Sequence, residues 1–284
     1  MASPIPQGGR QVDAAAARAL IGPLTALIAK ACGAVAAINR RAMSVADKAD
    51  GSPVSEADLV ADRIIAEGLA QIAPDIPALS EERCQPVAIP AGSSFFLIDP
   101  LDGTREFIAG RGEFTINLAL ITDGEPLLGI IGAPALGMIW RAIVGERAER
   151  LPIGADGVPG AAQPIRTRPH PAPGQPWVAG VSRSHGDPRT EAFIVARPGA
   201  IRERLGSAIK LCRVAEGTID IYPRLSPTSE WDVAAGHAIV TAAGGHITDS
   251  GGAPLRFGAR PGHYLVPDFI AWGDPAAAEA WKRP

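Results

Sequence analysis

Cysteine is scarce in this sequence, and the few cysteines form no pattern. The 284 residues include only Cys32, Cys84 and Cys212, which are far apart and contain no Cys-x-x-Cys pair. An odd number of widely spaced cysteines supports neither a disulfide framework nor a zinc ribbon. The fold must therefore be held by an ordinary hydrophobic core, which a chain of this length is able to bury.

An excess of positive charge is also missing. The chain has 27 Lys and Arg residues against 30 Asp and Glu residues, for a net charge of −3. Proteins that coat nucleic acid, or bind a membrane surface through charge, normally carry a basic excess. We therefore expect no nucleic-acid partner, while peripheral membrane association stays open.

No apolar run is long enough to span a bilayer. Arg18 and Lys30 enclose only the 11 uncharged residues at 19–29, whereas a spanning helix needs about 20. This segment also lacks the basic start of a signal peptide. Apolar residues recur there at spacings of three and four, which predicts an amphipathic core helix. We expect a cytoplasmic protein without an integral membrane segment.

The residues that are present indicate a globular chain of two lobes. Hydrophobic residues make up 46% and charged residues 20% of the sequence, which are globular values. Residues 151–176 are rich in Pro, Gly and Ala and show little periodicity, so we expect a surface connection there. The predicted lobes are an N-terminal α+β lobe at 1–150 and a C-terminal α/β lobe at 151–284.

Periodicity and turn residues predict the elements of both lobes. A helix is expected at 56–72, with Ser55 as its N-cap and Asp58 among the acids of its first turns. The remaining predictions are strands at 95–98, 116–121, 127–131, 177–181, 218–222 and 246–249, a hairpin turn at Asp123-Gly124, and helices near 187–197, 206–215 and 232–243. The mixture of helices and strands places the chain in the α/β class.

The segment DPLDGT at residues 99–104 is the most informative part of the chain. A buried strand delivers Asp99, Pro100 is expected to end it, and Asp102 follows on a sharp turn. Gly103 permits close backbone approach, and Thr104 is placed to cap a following helix. Two carboxylates facing one point suit a hard divalent cation with oxygen ligands. An ordinary Asp-rich turn with an N-cap is the alternative for this segment alone.

Two further acidic segments repeat this chemistry. They are SEE at residues 80–82 and WD at residues 231–232. Taken singly, Glu81 is compatible with a plain surface acid, and Asp232 with either an N-cap or a metal ligand.

The three segments together, in this order and spacing, resemble the inositol monophosphatase superfamily of magnesium-dependent, lithium-sensitive phosphatases. The resemblance extends over roughly residues 14–265. It implies an αβαβα sandwich with the metals bound between two sheets. Several carboxylates at one point repel one another unless cations neutralise them.

The resemblance also implies roles for single residues, with two or more Mg²⁺ ions in each active site. A first ion would be held by Glu81, Asp99 and the carbonyl of Leu101. A second would be held by Asp99, Asp102 and Asp232. Such ions can stabilise the attacking water and the leaving oxygen. Thr104 and Asp58 resemble the pair that takes the proton from that water, with a helix-dipole acid as the alternative for Asp58.

Three segments of the second lobe narrow the substrate. SRSH at 182–185, GSAIK at 206–210 and YPR at 222–224 resemble the 3′(2′),5′-bisphosphate nucleotidases of the CysQ type. Lys210 and Arg224 offer positive charge for a second phosphate, while Ser182 and His185 offer hydrogen bonds near a base or ribose. The substrate contacts implied are Glu81, Leu101, Asp102, Gly103, Thr104, Ser182, His185, Ser207, Lys210, Arg224 and Asp232.

The expected function is removal of the 3′-phosphate from adenosine 3′,5′-bisphosphate, giving AMP and phosphate, with the 5′-phosphosulfate analogue as a second candidate substrate. An inositol or sugar monophosphatase is the alternative enzyme. A cyclitol phosphatase is expected to carry an acid near position 224, where this chain has Arg224. A non-catalytic module that senses magnesium and nucleotide is the alternative outside enzymes. Monomer and homodimer are equally compatible with the sequence.

Overall fold

The structure is a computed structural model that describes residues 10–38, 43–47, 53–83, 89–90, 92–197, 199–259 and 264–281. Cys84 lies outside these residues. The helices are α1 Ala14–Ala37, α2 Glu56–Ile72, α3 Thr104–Ile108, α4 Pro188–Val195, α5 Ile209–Ala215, α6 Glu230–Ala242 and α7 Pro275–Trp281. The strands are β1 Val45–Asp47, β2 Pro53–Ser55, β3 Ala78–Ser80, β4 Ser94–Asp102, β5 Thr115–Thr122, β6 Glu125–Ala133, β7 Met138–Ile143, β8 Ala148–Pro152, β9 Gln163–Ile165, β10 Val178–Ser182, β11 Ile201–Leu205, β12 Ile221–Arg224, β13 Thr228–Ser229, β14 His246–Thr248, β15 Leu265–Val266 and β16 Phe269–Trp272.

The first large sheet has seven strands in the order β3-β4-β5-β6-β7-β8-β9. Strands β3 and β4 are parallel, and the neighbours from β4 to β9 are antiparallel. The predicted strands at 95–98, 116–121 and 127–131 lie within β4, β5 and β6. Asp123 and Gly124, both with positive φ, form the expected two-residue turn between β5 and β6.

Helices α1 and α2 cover one face of this sheet. Helix α1 packs against α2 and β6, and Leu24, Ile28 and Val35 are fully buried in the core beneath it. Within the described residues, α1 is the one helix whose length and composition would also allow it to cross a membrane. Its buried face is the face of a core helix, as the apolar spacing predicts.

Helices α5 and α6 lie between the first sheet and a second one. The second sheet has five strands in the order β11-β10-β12-β16-β14. Leu211 from α5 and Ile239 from α6 share one core cluster with Phe95 of the first sheet and Phe269 of the second. Residues of α4 and α7 pack on the far face of the second sheet. The layers are therefore α, β, α, β and α, which confirms the predicted sandwich.

Several element boundaries differ from the predictions. Helix α5 begins at Ile209 rather than 206, because Ser207 has a φ of 48° and lies outside the helical region. Strand β12 begins at Ile221 rather than 218, since Thr218 and Ile219 donate their N–H groups to Arg213 at the end of α5. Helix α6 begins two residues earlier than expected, at Glu230.

The first sheet continues beyond residue 150, where the lobe boundary is predicted. Strand β8 runs through that position and β9 follows within the Pro- and Gly-rich segment. The chain passes to the second sheet between Ile165 and Val178. The chain thus leaves the first sheet in the later part of the segment 151–176. The division into two lobes stays a prediction.

Candidate active site

Asp58 is fixed at the start of α2 by a capping box. Its Oδ2 accepts hydrogen bonds from the backbone N–H of Ser55 at 2.8 Å and from the Ser55 hydroxyl at 2.6 Å. Its other oxygen, Oδ1, accepts from Thr104 Oγ1 at 2.9 Å. Because Asp58 is buried and held from both sides, its carboxylate has one orientation toward Thr104.

Thr104 is the first residue of α3 and does not cap that helix. Gly103 occupies the N-cap position with a φ of 93° and no side-chain cap, so the capping role predicted for Thr104 is wrong. The Thr104 hydroxyl instead turns back toward Asp58 and also lies 3.2 Å from the carbonyl oxygen of Leu101. Glycine is required at 103 because this φ is left-handed.

Pro100 does not end strand β4, contrary to the prediction. The strand continues to Asp102, with an irregular register between Asp99 and Asp102. Such irregularities re-aim side chains and accommodate proline within a sheet. Asp99 Oδ1 accepts from the backbone N–H of Leu101 at 2.9 Å, which fixes the local turn. Both carboxylates are thereby carried at the end of one buried strand.

Glu81, Asp99 and Asp232 come together although they belong to three separate segments. One carboxylate oxygen of each lies within 4.8 Å of the others. Trp231 Nε1 donates to Glu81 Oε2 at 3.1 Å, and Thr228 Oγ1 donates to Asp232 Oδ2 at 2.5 Å. These donors hold the two flanking carboxylates in place beside Asp99.

Burial and mutual repulsion perturb these acids. Desolvation, followed by the charge of Glu81, raises the pKa of Asp99 well above its ordinary value. Desolvation and the nearby Asp232 raise the pKa of Asp102 to about 7. Desolvation also raises the pKa of Asp232. A concentration of buried carboxylates that resist ionisation fits a hard cation, whose charge removes the repulsion.

Two residues that sequence reasoning did not assign support this acidic group. Asp62, one helical turn after Asp58, accepts from Ser80 Oγ and from Arg83 Nε, both at 2.6 Å. It therefore holds the chain on both sides of Glu81. Asn117 Nδ2 lies 3.5 Å from Asp102 Oδ2 across the β4–β5 pair. The four-residue spacing from Asp58 was the signal for Asp62, whereas nothing local marked Asn117.

The predicted substrate residues line the same cleft as the acids. Its volume is about 390 Å³, and its lining includes the predicted set Glu81, Asp99, Leu101, Asp102, Gly103, Thr104, Ser182, His185, Ser207, Lys210, Arg224 and Asp232. Asp58 does not line the cleft and is connected to it by its hydrogen bond with Thr104. Residues from both sheets thus face one space between them.

Lys210 and Arg224 line this cleft together with Arg105, and we call the pair Lys210 and Arg224 its cationic wall. Lys210 Nζ donates to the carbonyl oxygens of Ser207 at 2.5 Å and Leu205 at 3.3 Å, and burial lowers its pKa to about 8. Arg224 Nη2 donates to the carbonyl oxygen of Pro227 at 3.3 Å. The buried Nε of Arg224 has no partner among the described residues. A donor without a partner beside a cleft suits an anionic ligand.

His185 stands next to these cations and is held by Ser182. Its backbone N–H donates to Ser182 Oγ at 3.0 Å. Desolvation, followed by the charges of Arg224 and Arg105, lowers the pKa of the imidazole. The ring is therefore neutral at pH 7 and offers both a hydrogen-bond donor and an acceptor.

Comparison with known proteins agrees with this geometry. The family model described as the inositol monophosphatase family matches residues 10–281. A 3′(2′),5′-bisphosphate nucleotidase CysQ from Shigella flexneri is 41% identical over 234 residues, which cover 80% of this chain and 88% of that protein. The protein of the same name from Escherichia coli strain K12 is 38% identical with the same coverage.

Solved structures give the same result for the fold. CysQ from Bacteroides thetaiotaomicron, a bacterial member of the inositol monophosphatase family, is 32% identical with a TM-score of 0.72, covering 91% of this chain and 97% of that one. An IMPase from Thermotoga maritima is 27% identical with a TM-score of 0.70, covering 90% of this chain and 92% of that one.

Proposed function

The chain belongs to the inositol monophosphatase family, and within it we propose that it is a magnesium-dependent 3′(2′),5′-bisphosphate nucleotidase. Its substrate is adenosine 3′,5′-bisphosphate, from which it releases the 3′-phosphate to leave AMP. The 5′-phosphosulfate analogue is the second substrate. The observation that carries this proposal is that the buried Asp99, the half-buried acids beside it and the cationic wall of Lys210 and Arg224 face one cleft.

The carboxylates are the proposed ligands of Mg²⁺. Glu81, Asp99 and the carbonyl of Leu101 would hold one ion, and Asp99, Asp102 and Asp232 a second. The raised pKa values of the three aspartates support this assignment, because a bound cation removes the repulsion that raises them. When bound, the ions supply charge stabilisation to the attacking and leaving oxygens.

Asp58 and Thr104 form the proposed proton path. As water oxygen attacks phosphorus, Thr104 Oγ1 accepts a water proton and passes its own hydroxyl proton to Asp58 Oδ1, 2.9 Å away. The bond between phosphorus and O3′ breaks, and O3′ retains the electron pair until it is protonated. Ser55 keeps Asp58 in place during this transfer, since both of its donors act on the other carboxylate oxygen.

The second lobe supplies substrate selection. Arg224, whose Nε has no partner within the described part of the chain, and Lys210 are placed to bind the phosphate that is not cleaved. The neutral imidazole of His185 and the hydroxyls of Ser182 and Ser207 line the same wall and are assigned to the nucleoside. Gly103 gives the scissile phosphate close access to the backbone at the start of α3.

Two alternatives are less well supported. An inositol or sugar monophosphatase needs acceptors for sugar hydroxyls, and the cleft instead presents Arg224 at the expected position of an acid. A non-catalytic sensing module does not require the hydrogen-bonded pair of Asp58 and Thr104.

Further properties are proposed together with this function. They are a cytoplasmic location, inhibition by lithium, and a monomeric or homodimeric state. The proposed partner is a small phosphorylated molecule.

The test is phosphate release measured side by side, with magnesium, on adenosine 3′,5′-bisphosphate, its 5′-phosphosulfate analogue, inositol 1-phosphate and fructose 1,6-bisphosphate. The proposal predicts the highest kcat/KM on the first two substrates. Arg224→Ala should lower kcat/KM for the bisphosphate by a factor that corresponds to a loss of about 2–3 kcal/mol of transition-state stabilisation. The kcat/KM for inositol 1-phosphate should stay nearly unchanged. Preference for inositol 1-phosphate in the wild type would overturn the assignment in favour of the monophosphatase.

A further inference from the structure

Glu113 lies on the loop between α3 and β5 and joins the two sheets across the mouth of the site. Its Oε2 and Oε1 accept hydrogen bonds from Arg183 Nε and Nη2, each at 2.7 Å. Its Oε2 also accepts from the backbone N–H of Gly206 at 2.8 Å. Arg183 lowers the pKa of this carboxyl group, so both charges persist at neutral pH.

The two partners of Glu113 belong to the two segments that carry the proposed substrate contacts. Arg183 follows β10 and stands between Ser182 and His185. Gly206 follows β11 and directly precedes Ser207. Arg183 Nη2 further donates to the carbonyl oxygen of Arg204 at 2.7 Å, which ties the two segments to each other. One carboxylate on the loop that precedes β5 therefore contacts both of the segments that carry the proposed substrate contacts.

The backbone of Glu113 is equally close to the catalytic turn. A Cβ added to Gly103 would lie 3.1 Å from the Glu113 carbonyl oxygen, and a Cβ added to Gly206 would lie 2.5 Å from the same atom. A side chain at Gly206 would clash with this oxygen, and one at Gly103 would make a contact tighter than usual. The turn at Gly103, the backbone of Glu113 and the segment starting at Gly206 are thus in close contact.

We propose that Glu113 is a positioning residue for substrate selection, which sets the distance between the carboxylates around Asp99 and the cationic wall at Lys210 and Arg224. The inference rests on the proposed function, which assigns the cationic wall and the segments beside it to the nucleotide part of the substrate. Glu113 is not one of the described residues that line the cleft. It therefore acts through Arg183 and Gly206 rather than by contact with the substrate.

A structural role alone does not account for this arrangement. The Arg183–Glu113 pair is partly exposed, and such pairs contribute little to stability. Misplacement of a binding group by about 1 Å, in contrast, can cost about 100-fold in rate or binding. Loss of Glu113 is therefore expected to change substrate binding far more than the melting temperature.

The test compares Glu113→Ala with the wild type and with Glu191→Ala. Glu191, on α4, accepts a similar pair of bonds from Arg202 Nε and Nη2, at 3.3 and 3.0 Å, and does not line the acidic cleft. For Glu113→Ala we expect KM for adenosine 3′,5′-bisphosphate and the inhibition constant of AMP to rise about tenfold. The kcat should stay within about threefold, and the inhibition constant of inorganic phosphate within about twofold. Glu191→Ala should change none of these values.

Unchanged AMP inhibition in Glu113→Ala, or an equal loss of AMP and inorganic phosphate binding, would overturn the inference. If Glu113→Ala does not fold, Glu113→Gln replaces it, because the amide keeps an acceptor for Gly206 and removes the charge facing Arg183. For Glu113→Gln we then expect the inhibition constant of AMP to rise about threefold and that of inorganic phosphate to stay unchanged. An unchanged inhibition constant of AMP contradicts the inference. Failure of the wild type to hydrolyse the bisphosphate is a different result, which overturns the proposed function itself.

Discussion

Thr104 Oγ1 lies 2.9 Å from Asp58 Oδ1, although the two residues are 46 positions apart and start different helices. Ser55 occupies the other oxygen of Asp58. The hydroxyl of Thr104 therefore points at a carboxylate that cannot turn away from it. Because neither residue belongs to the acidic group of Glu81, Asp99 and Asp232, the proposed proton path can be tested separately from the proposed metal ligands.

Removing the proton acceptor should abolish most turnover. For Asp58→Asn and Thr104→Val we expect kcat to fall by about 10²- to 10⁴-fold, the usual contribution of general acid–base catalysis. Thr104→Ser keeps the hydroxyl and should retain much of the activity. The measurement is kcat at saturating substrate, with circular dichroism to confirm folding. Near-normal kcat in Thr104→Val would eliminate the proposed proton path.

Asp62 should affect magnesium binding without touching the metal. It accepts from Ser80 and Arg83 on either side of Glu81, and loss of such supporting contacts typically costs about 10- to 100-fold in metal affinity. We expect Asp62→Asn to raise the half-saturating magnesium concentration by at least about tenfold, with kcat largely recovered at high magnesium. The measurement is activity as a function of magnesium concentration.

Glu67→Gln is the matched control for Asp62, since Glu67 is an exposed acid on the same helix. It should leave the magnesium requirement unchanged. An identical magnesium dependence in Asp62→Asn and the wild type would show that the segment around Glu81 is held by other contacts.

Magnesium should stabilise the protein more at pH 8 than at pH 6. Burial raises the pKa values of Asp99, Asp102 and Asp232 above those of the unfolded chain, to about 7 for Asp102. A raised pKa means that the folded state binds these protons more tightly, so their stabilising contribution is lost as pH rises through about 7. Bound magnesium replaces the protons and removes that loss.

The measurement is the melting temperature with magnesium minus that with a chelator, at both pH values. We expect a larger difference at pH 8, and a smaller one in Asp102→Asn, which carries one charge fewer. A difference that is equal at the two pH values, or larger at pH 6, would contradict cation binding by these carboxylates.

Most of the helices and strands could be predicted because their signals are local, whereas their layered arrangement was implied by the family resemblance. The apolar runs within β4, β5 and β6, the Asp123-Gly124 turn and the capping box at Ser55 all depend on neighbouring residues. The acidic residues of DPLDGT could be recognised in the same way. The proximity of these residues to Glu81 and Asp232 in the fold was implied by the family resemblance, because no local sequence pattern brings three separate segments together.

Contacts across the sheets could not be predicted. Glu113 joins Arg183 and Gly206, which are 70 and 93 positions away, and nothing in the sequence around Glu113 indicates this contact. The errors at Pro100 and Thr104 have a similar cause. Strand β4 continues through Pro100 because its pairing with β5 absorbs an irregularity, and Thr104 turns toward a partner on a distant helix.

Lys210 should give the bisphosphate activity a pH dependence of its own. Burial lowers the pKa of its ammonium group to about 8, so the charge is present below that pH and lost above it. We expect the ratio of kcat/KM for adenosine 3′,5′-bisphosphate to kcat/KM for inositol 1-phosphate to fall as pH rises through about 8. Titration of the shared carboxylates cancels in this ratio.

Lys210→Met should make that ratio low and independent of pH, because the titrating charge is gone. A wild-type ratio that stays flat from pH 7 to 9 would show that Lys210 only ties the backbone of Leu205 and Ser207, as its hydrogen bonds also allow.

The most direct measurement is the identity of the nucleotide left after hydrolysis of adenosine 3′,5′-bisphosphate. Chromatography should show adenosine 5′-monophosphate with one equivalent of phosphate, formed only when magnesium is supplied. Formation should be slower by about 10²- to 10³-fold in Asp102→Asn, the scale of losing a charge-stabilising group, with an unchanged circular dichroism spectrum. Adenosine 3′-monophosphate as the product, turnover without a divalent cation, or normal activity in Asp102→Asn would contradict the account.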